Sequence, residues 1–196
     1  MKGLVRVGAL SLLCWSTETV ALTIENTTEW KECVATPANC TTLNLRGHHV
    51  LVGTIPEGIV ELTALTHLDL SSNTLSGTIL ESIFALTNLT DLNLGGNPIS
   101  GTISKNISAL TSLTSWNVGS MPISGTIPNE IMALTKLSSF VMNFVKLSGT
   151  IPSVIGALTA LKSFQVFGSM ISDGQAPSLV SGTLPSELLA CTLLKQ

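Results

Sequence analysis

Few side chains in this chain could do covalent chemistry, and they lie close together in the sequence. His67, Asp69 and Asp91 are accompanied by Ser71 and Ser115. These are the residue types of a base, an orienting carboxylate and a hydroxyl nucleophile. Such a set needs a desolvated pocket to shift a pKa and donors for an oxyanion. The elements that carry it, reconstructed below, give an open face with neither, so His67 and Asp91 read as a solvated surface pair and no enzyme is expected. Cys33 and Cys40 in CVATPANC lack the further ligands of a zinc site. Neither a metal nor a cofactor is expected.

What positions these residues is a repeat. Gly-Thr-Ile motifs place glycines at 53, 77, 101, 125 and 149, a spacing of 24 each time. The next, in Gly182-Thr183-Leu184, follows after 33, one period plus nine. A fixed period in this range means a solenoid, whose coils bury their apolar faces only by stacking. The fold expected is an α/β solenoid of period 24, with parallel strands on its concave face and irregular or short helical segments on the convex side.

Within one coil, LTALTHLDLSSNTLSGTI (62–79) alternates around Leu68 and Leu70, which predicts a short strand with one face inward. Asn73 can turn its amide to unpaired backbone groups where the chain leaves the strand. Pro56, Pro128 and Pro152 suit the start of the return segment, where no amide donor is needed. The Asn column then reads Asn73, Asn97, Met121, Val145 and Ser169, so an amide ladder is lost in the second half. Trp116, Phe140 and Phe164 replace Leu68 and Leu92 and are expected in the core.

The N-terminus has another character. Lys2 and Arg6 precede the apolar block Val7–Trp15 and then STETVA, the order of a secretory signal peptide over residues 1–21 with cleavage after Ala21. The block is too short to span a bilayer, and later apolar runs are broken every few residues, so no transmembrane segment is expected. Net charge is −3 with 11% charged residues, which removes the electrostatic footprint of a nucleic-acid binder. In an oxidising compartment Cys33 and Cys40 are expected to pair, leaving Cys191 over. Asn26, Asn39, Asn88 and Asn106 stand in Asn-x-Ser/Thr triplets and are candidate glycan acceptors.

The phrase LSGTIP..I.ALT.L resembles the plant-type extracellular leucine-rich repeat of receptor-kinase ectodomains and polygalacturonase-inhibiting proteins, over roughly residues 41–195. EWKECVATPANC (29–40) resembles that family's cysteine-paired N-terminal cap, so residues 22–40 are assigned to a cap and 41–196 to the array. Two departures stand out. The Pro of GTIP is Leu80 and Ser104 in two coils, and the chain stops at ELLACTLLKQ with the last repeat incomplete and no paired-cysteine cap after it. That ending fits a truncated gene model, a fragment of a membrane receptor or a degenerate end.

Stacked strands turn equivalent positions into columns. Thr66, Thr90, Thr114, Ser138 and Lys162 form one, and His67, Asp91, Ser115, Ser139 and Ser163 the next. Asp69, Asn93, Asn117, Val141 and Gln165 follow. Val141, Phe144 and Phe167 are expected to point outward as anchors of an interface, beside a loop insertion near 171–183. His67, Asp69 and Asp91 complete the candidate ligand-binding set. The expected function is a secreted or cell-surface recognition module that binds a protein, peptide or glycan on its concave face. The alternative is a structural or surface-binding solenoid. It would meet ice or a polymer through Ser76, Ser100, Ser124, Ser148 and Ser181 and the Thr54, Thr78, Thr102, Thr126, Thr150 and Thr183 column.

Overall fold

The computed structural model describes residues 22–48, 51–143, 145–148 and 150–166. The expected signal segment 1–21, the insertion 171–183, the incomplete last repeat, Cys191, Phe144 and Phe167 lie outside the described residues.

A short 3-10 turn, Ile24–Asn26, precedes α1 (Thr28–Ala35), which is followed by β1 (Thr42–Asn44), β2 (Val52–Gly53), β3 (His67–Asp69) and β4 (Thr74–Leu75). The chain continues with β5 (Asp91–Asn93), β6 (Gly101–Thr102), β7 (Ser115–Asn117) and β8 (Ile123–Gly125). It ends its described part with β9 (Ser139–Val141), β10 (Lys146–Leu147) and β11 (Ser163–Gln165). The odd-numbered strands form one six-stranded parallel sheet in chain order. A second layer pairs β2 with β4, β6 with β8 and β8 with β10, and a Thr78–Ser100 bridge joins the two runs. Parallel neighbours require a crossover between them. Here each crossover is the remainder of a coil, closing through 3-10 turns at Glu57–Glu61, Glu81–Ala85, Lys105–Ala109, Asn129–Ala133 and Ser153–Ala157.

The leucine spacing explains the layout. Leu62, Leu65, Leu68 and Leu70 all point into the coil and are buried, as are Leu86, Leu89, Leu92 and Leu94 one coil on. Main-sheet register is 24 between β3 and β5 (His67 opposite Asp91) but 25 between β1 and β3 (Thr42 opposite His67). The first coil is one residue longer. Proline at the entry to a return segment is convenient rather than required. Pro56 and Pro128 sit there at φ −72° and −71°, and Leu80 and Ser104 take the same conformation at −65° and −70°.

Two glycines of the repeat disfavour any side chain for a double reason. Gly77 and Gly125 have φ of 84° and 81°, and a Cβ on either would stand 3.0 Å from the γ-methyl of Thr54 or Thr102 in the preceding coil. Left-handed backbone and close packing both favour hydrogen there.

At the N-terminal end, the Thr27 hydroxyl accepts from the Trp30 amide at 3.2 Å and caps α1. Trp30 and Cys33 face inward from that helix. A disulfide joins Cys33 to Cys40 with Cα atoms 5.0 Å apart, fastening the end of α1 to the approach to β1.

The interior changes along the array. Asn73 donates to Leu45 O at 2.8 Å and Leu70 O at 2.9 Å. Asn97 donates to Leu70 O and Leu94 O and accepts from the Leu75 amide at 3.1 Å. In the next two coils Met121 and Val145 occupy this column, buried. There Trp116 stacks on Phe140 with centroids 4.7 Å apart and planes within 5°, and Phe140 meets the half-buried Phe164 at 5.7 Å.

Candidate functional site: the outer face of the six-stranded sheet

The first four main strands, β1, β3, β5 and β7, each end in an Asx turn. Asn44 Oδ1 accepts from the Arg46 amide, Asp69 Oδ1 from Ser71, Asn93 Oδ1 from Gly95 and Asn117 Oδ1 from Gly119. A short polar side chain two residues back captures the amide and turns the chain sharply off the strand. Asp69 is thereby fully engaged. Its Oδ1 also takes the Ser71 hydroxyl at 2.6 Å, and its Oδ2 takes Asn93 Nδ2 at 3.3 Å.

Beyond these turns the next positions are small in the middle coils, namely Ser71, Ser72, Gly95, Gly96, Gly119 and Ser120. Ser72, Gly96 and Ser120 are left-handed, with φ of 57°, 71° and 56°. A Cβ on Gly95 would come within 3.0 Å of the Asn117 amide group of the next coil, so the floor is already filled from below. The result is a polar trough of about 310 Å³ crossing the strands, bounded by Arg46 at one end and by Val141 and Asn143 at the other. Four strand spacings separate its ends, roughly 19 Å. Asn143 Nδ2 is held by Gln165 Oε1 at 3.0 Å.

Beside the trough, His67 Nε2 lies 3.2 Å from Asp91 Oδ2, with both side chains about half exposed to solvent (55% and 41%). His67 Nδ1 is 2.8 Å from Thr66 Oγ1, and Thr90 Oγ1 is 2.8 Å from Asp91 Oδ2. The Ser71 hydroxyl is committed to Asp69 rather than to the imidazole. Val141 is half-buried at the trough's far wall. The structure thus brings His67 and Asp91 together and sets Asp69 into the turn network. The expected aromatic anchors Phe144 and Phe167 lie outside the described residues.

Sequence reasoning missed the trough and Arg46. The small column Ser71, Gly95, Gly119 was the available signal. Arg46 falls into that column only when the first coil's extra residue is counted, because β1 and β3 pair at an offset of 25.

A second regular surface runs along the second layer. Ser76, Ser100, Ser124 and Ser148 are exposed, and each hydroxyl donates to a glycine carbonyl of the preceding coil at 3.2 Å. Thr54, Thr78, Thr102, Thr126 and Thr150 are exposed beside them.

Asn26, Asn39, Asn88 and Asn106 are all exposed. The Asn88 amide donates to Thr63 O, and the Asn106 amide to Glu81 Oε2. Among the described residues no helix is long and apolar enough to cross a membrane.

The leucine rich repeat pattern matches residues 38–99. No curated protein sequence matches the chain. Among solved structures, the ectodomain of the plant membrane receptor kinase GASSHO1/SCHENGEN3 from Arabidopsis thaliana, in complex with CASPARIAN STRIP INTEGRITY FACTOR 2, is 38% identical. It covers 74% of this chain and 16% of its own, with a TM-score of 0.66. The ectodomain of the receptor kinase SOBIR1 from Arabidopsis thaliana is 31% identical over 64% of this chain and 67% of its own, with a TM-score of 0.57. A plant ice-binding protein is 28% identical over 64% of this chain and 40% of its own, with a TM-score of 0.59. The chain spans only 16–20% of the length of several of the receptor structures it matches.

Proposed function

The chain belongs to the leucine-rich repeat proteins of the plant extracellular type, and from that premise we propose that it is a non-catalytic recognition module. The partner, a protein, a peptide or a glycan, would lie in the trough across the six-stranded sheet. The observation that carries this reading is the trough itself. Its floor is held rigid by consecutive Asx turns, its centre is stripped to glycine and serine, and one end carries a guanidinium. A surface ordered before the partner arrives loses less entropy on binding. Similar chains are receptor ectodomains, one of them in complex with CASPARIAN STRIP INTEGRITY FACTOR 2, which supports a binding role.

In this reading Val141, with Phe144 and Phe167 on sequence grounds, supplies apolar anchoring, and the 171–183 loop lies next to them in the sequence. His67 and Asp91 set orientation at the near edge. The signal segment, the 22–40 cap and the four Asn-x-Ser/Thr sites fit a secreted or cell-surface protein carrying glycans. The test is an array of extracellular plant peptides and cell-wall oligosaccharides probed with the purified chain and with Val141→Arg, which fills and charges the trough wall. Binding lost in Val141→Arg with the unfolding midpoint unchanged is the expected result. Binders indifferent to both Val141→Arg and Arg46→Glu would overturn the trough as the site.

A second reading is favoured by one observation, the identical orientation of the Ser hydroxyls beside an exposed Thr column, in a chain similar to a plant ice-binding protein. It makes the second layer a surface for ordered water or a polymer. Thermal hysteresis of the purified chain, abolished by Thr102→Lys, is its expected signature; its absence removes the ice reading.

A further inference from the structure

The hydroxyls at the entry to the main strands share one backward contact, and two of them carry a second, Thr90 Oγ1 to Asp91 Oδ2 at 2.8 Å and Thr66 Oγ1 to the neighbouring imidazole. Thr90 Oγ1 reaches Thr66 O, Thr114 Oγ1 reaches Thr90 O and Ser138 Oγ1 reaches Thr114 O, each at 3.0 Å. Thr66 Oγ1 likewise reaches Thr41 O, at 2.9 Å, but it also touches His67 Nδ1 at 2.8 Å. A threonine hydroxyl has one proton to give. When it goes to Thr41 O, Nδ1 must carry a proton and donate to Thr66. Nε2 faces the Asp91 carboxylate, which only accepts, so Nε2 carries a proton as well. The three contacts of this link, Thr66 Oγ1 to Thr41 O, Nδ1 to Thr66 Oγ1 and Nε2 to Asp91, are satisfied together only by the imidazolium, while the Thr90 hydroxyl next to Asp91 serves one of its two acceptors at a time. In neutral histidine with Nε2–H retained, Nδ1 is an acceptor, and the Thr66 hydroxyl must turn towards it and leave Thr41.

We propose that His67, acting through Thr66, is a proton-operated link between the first two coils. A solvent proton bound at Nδ1 frees the Thr66 hydroxyl to bridge to Thr41 O, and its loss draws the hydroxyl back. Asp91 on β5 is the carboxylate facing the ring. Asp69, on the ring's own strand, is occupied by Ser71 and Asn93. On the other side β1 places Thr42 opposite His67 and contributes no titratable side chain. β7, beyond Asp91, presents Ser115. The link stands independently of which partner the trough accepts.

Amide hydrogen exchange reads the link directly, because the Thr66 and His67 amides donate to the same Thr41 carbonyl, at 2.8 and 3.1 Å. Protection of these two amides, corrected for intrinsic exchange, should be about threefold higher near pH 5 than near pH 8, the low end of what one exchanged hydrogen bond gives. The Thr114 and Ser115 amides, which donate to Thr90 O, should show no such change. Thr66→Val and His67→Gln should abolish it, and Thr66→Ser should keep it. Ring 15N spectra near pH 8 should show the Nε2–H form with Nδ1 accepting. Equal protection at both pH values, a change that survives in Thr66→Val, or an Nδ1–H tautomer at alkaline pH would each overturn the proposal.

Discussion

The coils around β3 and β5 and those around β7 and β9 share one backbone and are held together differently. In the first pair, Asn73 and Asn97 sit buried where the chain leaves the strand, each bonding backbone carbonyls in its own coil and in the one before. In the second pair the same positions are Met121 and Val145, and the interior carries the Trp116–Phe140 stack instead. A buried amide satisfies named backbone groups and fixes register, whereas stacked rings add apolar area and dispersion with looser positional demands. One scaffold therefore tolerates two chemistries of coil-to-coil cohesion, provided the leucine frame is kept.

The sharpest way to break this comparison is at the stack. Trp116→Ala should cost about 3–5 kcal/mol in chemical denaturation, as for any large buried side chain, and should lower protection in the β5 and β9 coils as well. Trp116→Phe should cost under about 1 kcal/mol, because the Trp116 Nε1 proton is buried without a partner and its removal offsets lost volume. If the two substitutions cost the same, the indole is not acting through ring packing.

Exchanging the two solutions is the next test. Asn97→Met strands the Leu75 amide and the Leu94 carbonyl, leaves Leu70 O with Asn73 alone, and should cost about 2–3 kcal/mol. Met121→Asn should cost less than half as much if the second pair has no need of an amide. Gly77→Ala and Gly125→Ala lie in different halves but share backbone and neighbour, so each should lose about 1–2 kcal/mol, by the same amount within error. The smallest effects belong to the sheet surface. Thr90→Val removes a hydroxyl bonded to Thr66 O and should cost about 1 kcal/mol, against under about 0.5 kcal/mol for Ser115→Ala.

Much of this was legible in the amino-acid sequence because a repeat states its own register. The period placed Leu68, Leu92, Trp116 and Phe140 inside and marked where the Asn column fails. Thr90 shows the limit. An outward-pointing threonine looks expendable in a column of letters, and only the distance to the carbonyl of the coil before shows that it is bonded. Asp69 teaches the same. Its charge marked it as a surface ligand candidate, while its position two residues before an unpaired amide gave it work within the turn. Arg46 was hidden by a single extra residue in the first coil, which slips one register of pairing and leaves the glycine spacing untouched.

The hydroxyls at the strand entries, from Thr66 to Ser138, all reach backwards, each to the carbonyl of the coil that precedes it. Each coil from Thr66 to Ser138 thus carries one plug and one socket of the same kind, oriented the same way. A block of 24 residues copied or deleted anywhere between Thr66 and Ser138 would leave every plug seated. In this column, length can change by whole coils without leaving a hydroxyl unseated.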